Sequence, residues 1–241
     1  MNPATANPGT SPDPNLGARG PRLSVVTGAG LLLAIFGTPL LLWLLRLGLG
    51  EADSLPSYLA RDLGVFALAG ILLVLIRRGE RLPYSSIGWR TDRLGRSAIW
   101  GLIGLVLSIV AIAACFGVAQ LMEWKVGQQE PPKFVPPLWA MTITVLRAGL
   151  TEELFYRGYA LERLSTLTGS TWIAAVPTIT LFGLFHSSQG PAGILIAAVV
   201  ATIFTVLYLR RRDLPAVMLT HVAIDLIPNV LLPLLGVAVD D

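Results

Sequence analysis

Glu152-Glu153-Leu154-Phe155-Tyr156-Arg157 follows directly on an apolar run, Leu138 to Leu150, so two adjacent carboxylates sit where a membrane span normally excludes them. A charged side chain near the bilayer centre costs at least ~2.5–3.5 kcal/mol, and such residues face the protein interior and carry function. Two neighbouring carboxylates cannot both stay ionised cheaply in a low dielectric unless a cation or metal answers them. Arg157 lies four residues after Glu153, on the same helical face, and is the expected partner. Glu152 points about 100° away round the helix and has no cation at a neighbouring helical position. That isolation makes Glu152 the first candidate for chemistry.

The rest of the chain reads as the membrane setting for this stretch. Of its 241 residues, 54% are hydrophobic and only 14% charged, with a mean hydropathy of +0.67. A soluble domain carries about 25% charged residues. Several apolar runs of roughly 18 or more residues specify an all-α, polytopic transmembrane helical bundle. The net charge is only +3 and the basic residues are dispersed between spans, which fits topology signals and excludes a nucleic-acid surface. The single cysteine, Cys115, lies inside an apolar run and can form neither an intrachain disulfide nor a multi-cysteine metal site.

Residues 1–21, rich in Pro, Gly, Asn and Ser, read as a disordered N-terminal tail, and residues 22–241 as one transmembrane domain. Seven spans are expected: Leu23–Leu47, Tyr58–Ile76, Ser97–Met122, Leu138–Leu164, Thr171–His186, Ala192–Leu209 and Leu214–Val237. With the N-terminus inside, thirteen of the eighteen basic residues fall at cytoplasmic ends, only Arg46, Arg61, Lys125 and Lys133 fall outside, and Arg147 lies within a span. This positive-inside bias puts the C-terminal Val239-Asp240-Asp241 outside. Pro131, Pro132, Pro136 and Pro137 bracket an outer loop, and Arg210-Arg211-Arg212 reads as a topology anchor.

Three polar clusters lie in these apolar segments. Glu152, Glu153 and Arg157 form the first, Phe182-Gly183-Leu184-Phe185-His186 the second and His221-Val222-Ala223-Ile224-Asp225 the third. A lone membrane histidine is often only an interhelical hydrogen-bonding group. Both histidines of the chain, together with two carboxylate clusters, point instead to a functional site. Glu152 and His186 stand equally far, 17 residues, on either side of residue 169 in the turn between spans four and five, so an antiparallel hairpin brings them to one depth. His221 and Asp225, four apart, share one helical face. Ala148, Gly149 and Gly183 are small enough to let helices approach closely at such a site.

These three clusters, in this order, resemble the CAAX-processing and bacteriocin-processing family of intramembrane endopeptidases (also called Abi proteins), which includes the type II CAAX prenyl endopeptidases. The family pattern, Glu-Glu-x-x-x-Arg, Phe-x-x-x-His and His-x-x-x-Asn or Asp, is met by Glu152 to Arg157, Phe182 to His186 and His221 to Asp225. The likeness covers about residues 138–230, and the first three spans carry no part of it. It implies an endopeptidase that cleaves a membrane-associated or prenylated peptide or protein within the cytoplasmic half of the bacterial cell membrane. Carried over, Glu152 and His186 become the water-activating pair, and His221 and Asp225 stabilise the oxyanion or orient the reacting groups. Glu153, Arg157 and Phe182 become supporting residues.

The family is described both as glutamate-dependent and as metal-dependent, and no cofactor is fixed by this sequence. Glu152, His186 and His221 are the candidate ligands of a divalent metal such as Zn²⁺ in a His₂Glu set, although no His-Glu-x-x-His helix is present. Asp225 departs from the Asn alternative of the pattern, and an ionised Asp accepts hydrogen bonds but cannot donate one to an oxyanion. Two other classes fit the same residues. One is a non-catalytic membrane scaffold or immunity-type protein of the same fold. The other is a proton-coupled transporter, since Glu and His chains also relay protons, though no internal repeat supports the common transporter plans. Oligomeric state and substrate identity are not legible in the sequence.

Overall fold

The computed structural model describes residues 24–127 and 133–236, and no strand occurs among them. The expected tail at 1–21, Pro131, Pro132 and Val239-Asp240-Asp241 lie outside the described residues. The helices are α1 (Val25–Leu49), α2 (Leu55–Val74), α3 (Leu94–Leu121), α4 (Leu138–Glu153), α5 (Glu162–Thr168), α6 (Thr171–Leu184), α7 (Gly190–Arg211), α8 (Leu214–Leu226) and α9 (Leu232–Leu234). Wider π segments extend α2 (Leu75–Gly79), join α4 to α5 (Leu154–Leu161) and join α8 to α9 (Ile227–Leu231).

Local chemistry sets these boundaries. Ser24 caps α1 by accepting from the Thr27 amide, Ser170 caps α6 by accepting from Ile173, and Asp213 caps α8 by accepting from Ala216. Gly169, with φ +68°, provides the left-handed residue that ends α5 and turns the chain into α6. This is the hairpin expected near residue 169.

Among the described residues, five helical stretches are long and apolar enough to cross a membrane: Val25–Leu49, Leu55–Gly79, Leu94–Leu121, Ser187–Arg211 and Leu214–Leu234. The chain is therefore a multi-pass membrane protein. The expected fourth and fifth spans exist as helices but differ from the other five. The rod from 138 to 168 is interrupted by the charged cluster. α6 has only 14 residues, about 21 Å at 1.5 Å per residue against a hydrocarbon core of ~30 Å.

The π segment Leu154–Leu161 is buried along its whole length and forms the middle of the bundle. Phe155, Tyr159 and Leu161 from it pack with Leu72 and Ile76 of the α2 rod and Phe204 and Tyr208 of α7. α3 and α7 lie against each other, and α8 fits between α3 and α4. Two ionic clusters tie this middle to the neighbouring loops. Arg163 donates to Glu80 at 2.8 Å and to Ser86, while Tyr159 donates to Glu80 at 2.8 Å. Tyr208 and Arg212 both donate to Glu162. Arg211 stacks on Trp100 at 3.7 Å, so two of the three expected anchor arginines are engaged with protein groups.

Candidate active site

The site is assembled where α4, α6 and α8 meet. Gly149 makes the α4–α8 contact possible, because a Cβ there would stand 2.7 Å from the Val222 amide nitrogen and 2.5 Å from its Cγ2. Gly183 does the same between α6 and α7, where a Cβ would meet Ala198 Cβ at 3.1 Å. Close backbone approach at these two points carries the three polar clusters to one place.

Glu153 and Arg157 pair as expected, with Arg157 Nη1 donating to Glu153 Oε1 at 2.8 Å and both side chains buried. The same Oε1 takes a second partner, His221 Nδ1, at 2.8 Å, while Oε2 is buried without a hydrogen bond among the described residues. On its other side His221 Nε2 faces Asp225 Oδ2 at 3.4 Å, longer than a good hydrogen bond but within ion-pair range. Arg157 also donates to the Ala201 carbonyl, and its guanidinium lies 4.6 Å from the Phe182 ring centre and 5.5 Å from that of Phe204. Arg157, Glu153, His221 and Asp225 therefore form one chain of polar contacts that reaches α8, with the arginine packed on aromatic faces.

Phe182 is the hub of the apolar half. Its ring centre is 5.1 Å from Tyr156, 4.9 Å from His186 and 6.3 Å from His221. His186 closes α6, with its Nδ1 2.7 Å from the Phe182 carbonyl. A carbonyl only accepts, so Nδ1 carries the hydrogen and Nε2 is the nitrogen free for chemistry.

Glu152 requires a correction. The sequence left it without a cation, but Arg147 Nη1 lies 3.3 Å from Glu152 Oε1. The spacing of five residues falls outside the i+3 and i+4 positions that meet on a helix face, and the length of the arginine spans it. Arg147 Nε at the same time donates to Asp62 Oδ1 on α2 at 3.0 Å. Asp62 is in turn held by the Thr144 hydroxyl, 2.5 Å from Oδ2, and Thr144 Oγ1 lies 2.8 Å from the Tyr58 hydroxyl. Asp62 and Arg147 were missed as site residues. Their signal was present, since each is a charge inside an apolar helix.

Two cavities meet at this point. One, of about 410 Å³, lies towards α1 and is bordered by Thr38, Pro39, Arg147, Tyr156 and Phe185. The other, of about 360 Å³, lies towards α7 and α8 and is bordered by Val200, His221, Asp225 and Asn229. Glu152, Phe182, His186 and Gln189 border both. Glu152 and His186, which the sequence placed at one depth, border the same two cavities, and a short 3₁₀ turn, Ser187–Gln189, separates His186 from α7.

The arrangement does not match a His₂Glu metal site. Among the described residues no three His, Cys, Asp or Glu side chains form a group that could hold a metal ion. His221 has a carboxylate facing each ring nitrogen, and Glu152 is held by Arg147. His186 alone presents an uncommitted nitrogen, one ligand where a catalytic zinc needs three from the protein.

The bundle is that of a membrane-embedded helical protein with ionisable groups gathered around internal cavities. Residues 134–227 match the family model described as type II CAAX prenyl endopeptidase Rce1-like, and over this segment the chain is similar to that family. No curated protein and no solved structure matches the chain.

Proposed function

We propose that the protein is an intramembrane endopeptidase that hydrolyses a peptide bond of a membrane-associated or prenylated substrate, with water activated by Glu152 and His186. The observation that carries this reading is that, among the described residues, Glu152 and His186 are the ionisable groups that border both cavities. A substrate chain lying through the two would pass its scissile carbonyl between them.

In the proposed step a water oxygen attacks the carbonyl carbon while its proton passes to the Glu152 carboxylate. The carbonyl π electrons move to oxygen, giving a tetrahedral oxyanion. On collapse the C–N bond breaks and the proton held by Glu152 goes to the leaving nitrogen, so that a carboxylic acid and an amine are released. A positioned base contributes typically ~10²–10⁴-fold. His186, fixed by its Nδ1 bond to Phe182, presents Nε2 to the same water. His221 and Asp225 act by orientation, because the Glu153–Arg157 pair anchors His221 and with it the α4–α8 contact. Asp62 moderates Arg147, which would otherwise hold Glu152 as a full counter-ion. No step uses a metal.

The finer topology belongs to the same proposal: seven passes, the N-terminus on the cytoplasmic side of a bacterial cell membrane and the C-terminus outside. Reporter fusions after Arg93 and after Asp241 are expected on opposite sides, and the same side for both overturns it. The activity is tested with purified protein in liposomes, a prenylated C-terminal peptide and a transmembrane peptide as alternative substrates, in ¹⁸O-water with and without chelator. Expected is a product carrying one ¹⁸O in its new carboxylate at an unchanged rate with chelator. Loss of turnover on chelation, restored by metal, overturns the metal-free mechanism. Absence of cleavage of either substrate favours the scaffold reading.

A further inference from the structure

We propose that the side-chain amide of Asn229 is the donor that stabilises the oxyanion. The inference rests on the hydrolase reading above. Charge developing on the carbonyl oxygen needs N–H or O–H donors aimed into the cavity. Asp225, which stands where the family pattern allows an asparagine, is a carboxylate facing His221 Nε2 and offers none when ionised. Asn229, one turn further along the same helix, carries an amide and borders the same cavity.

The helix geometry explains why a residue at that position reaches the cavity. Along an α-helix four residues advance by one turn and roughly 40° more, so a series i, i+4, i+8 drifts off one face. Here the helix widens at Ile227–Leu231 into a π turn, which takes more residues per turn and recovers part of that drift. His221, Asp225 and Asn229 consequently border one cavity with Glu152 and His186. Such π turns recur at functional sites.

Asn229 is also oriented. Its Nδ2 donates to the Asp225 main-chain carbonyl at 2.8 Å, which fixes the plane of the amide. The amide nitrogen carries two hydrogens, and this bond uses one. The second is not used by this bond, and Asn229 is exposed and borders the cavity. No proton is transferred by Asn229: the oxyanion accepts the hydrogen bond as it forms and releases it as the C–N bond breaks. The other amide on the wall, Gln189, instead packs its side chain over Gly193 at the start of α7.

The test uses the full chain in liposomes and three substitutions, Asn229→Ala, Asn229→Asp and Asn229→Thr. Threonine keeps a hydroxyl that can bond the carbonyl four residues back, and so retains the local helix bond without a second donor. Expected for all three is a fall in kcat of about 10²-fold, the usual effect of losing one oxyanion donor, with KM nearly unchanged and a normal size-exclusion profile. The Ki of a phosphinate peptide, whose tetrahedral anionic oxygens mimic the intermediate, should rise by the same factor as kcat/KM falls. Wild-type turnover in Asn229→Ala or Asn229→Thr overturns the inference while leaving the hydrolase reading standing. So does a fall in kcat without any change in phosphinate Ki. A wild-type protein that cleaves nothing and binds no phosphinate removes the hydrolase reading and this inference together.

Discussion

Gly149→Ala tests the packing that assembles the site. The added Cβ would lie 2.5 Å from Val222 Cγ2, 2.7 Å from its amide nitrogen and 3.1 Å from its Cα. Two of these three atoms are backbone, so rotation of the Val222 side chain does not relieve the clash. Ordinary contact begins near 3.4 Å, so α4 and α8 must separate by roughly 0.7 Å at this point. Overpacking of this kind typically costs about 1–3 kcal/mol. The larger consequence is functional, because the same contact sets the 2.8 Å bond between Glu153 and His221 one turn away. A displacement near 1 Å is enough to cost about 10²-fold in rate. Thermal unfolding in detergent and turnover in liposomes should therefore both report the substitution, and turnover should fall by about 10²-fold. Gly117→Ala on α3 is the control, since a Cβ there meets nothing within 4 Å and alanine favours the helix. A Gly149→Ala protein indistinguishable from Gly117→Ala in both measurements refutes the reasoning.

Three further outcomes follow from the ionic chains. Arg157→Ala leaves Glu153 buried with one partner fewer, at a cost of about 3–5 kcal/mol, so folded yield by size exclusion should drop; full stability with selective loss of turnover would place Arg157 in substrate binding. Asp62→Ala and Arg147→Ala should show a coupling of about 0.5–3 kcal/mol in a double-mutant cycle on thermal stability, and additivity would break the proposed link from α2 to Glu152. At the membrane-edge residue Glu80, burial pushes the carboxyl up, but hydrogen bonds from Arg163 and Tyr159 outweigh it and hold it below its ordinary 4.5. A depressed carboxyl contributes stability that is present above its unfolded value and lost as pH falls through the folded one. Glu80→Gln should therefore reduce the loss of stability on acidification below about pH 4.5, and an unchanged acid limb contradicts this.

What the sequence disclosed and what it hid divide along a physical line. The pairs Glu153–Arg157 and His221–Asp225 were legible because helical spacing alone brings residues four apart together. The meeting of Glu152 with His186 followed from counting residues out from one turn. The contact of His221 with Glu153 was not legible, since it depends on how closely α4 and α8 pack, and Gly149 reveals its purpose only beside Val222. Arg147 illustrates the same limit: its tie to Glu152 spans five residues, and its second partner, Asp62, comes from a helix that carries no family motif. The π turns left no mark in the hydrophobic pattern, yet one of them carries Asn229 to the cavity.

The assignment of the base is decided by Glu152→Gln beside Glu153→Gln, each assayed for peptide cleavage in liposomes and for folded yield by size exclusion. Glutamine preserves the shape of Glu152 but removes the basic oxygen, so that variant should fold normally and lose at least ~10²-fold in turnover. Glu153→Gln weakens the bonds from Arg157 and His221 to Oε1 and should lose folded protein first. Near-normal turnover of Glu152→Gln beside a well-folded but inactive Glu153→Gln would reverse the two roles, and near-normal turnover of both would contradict the Glu152 mechanism altogether.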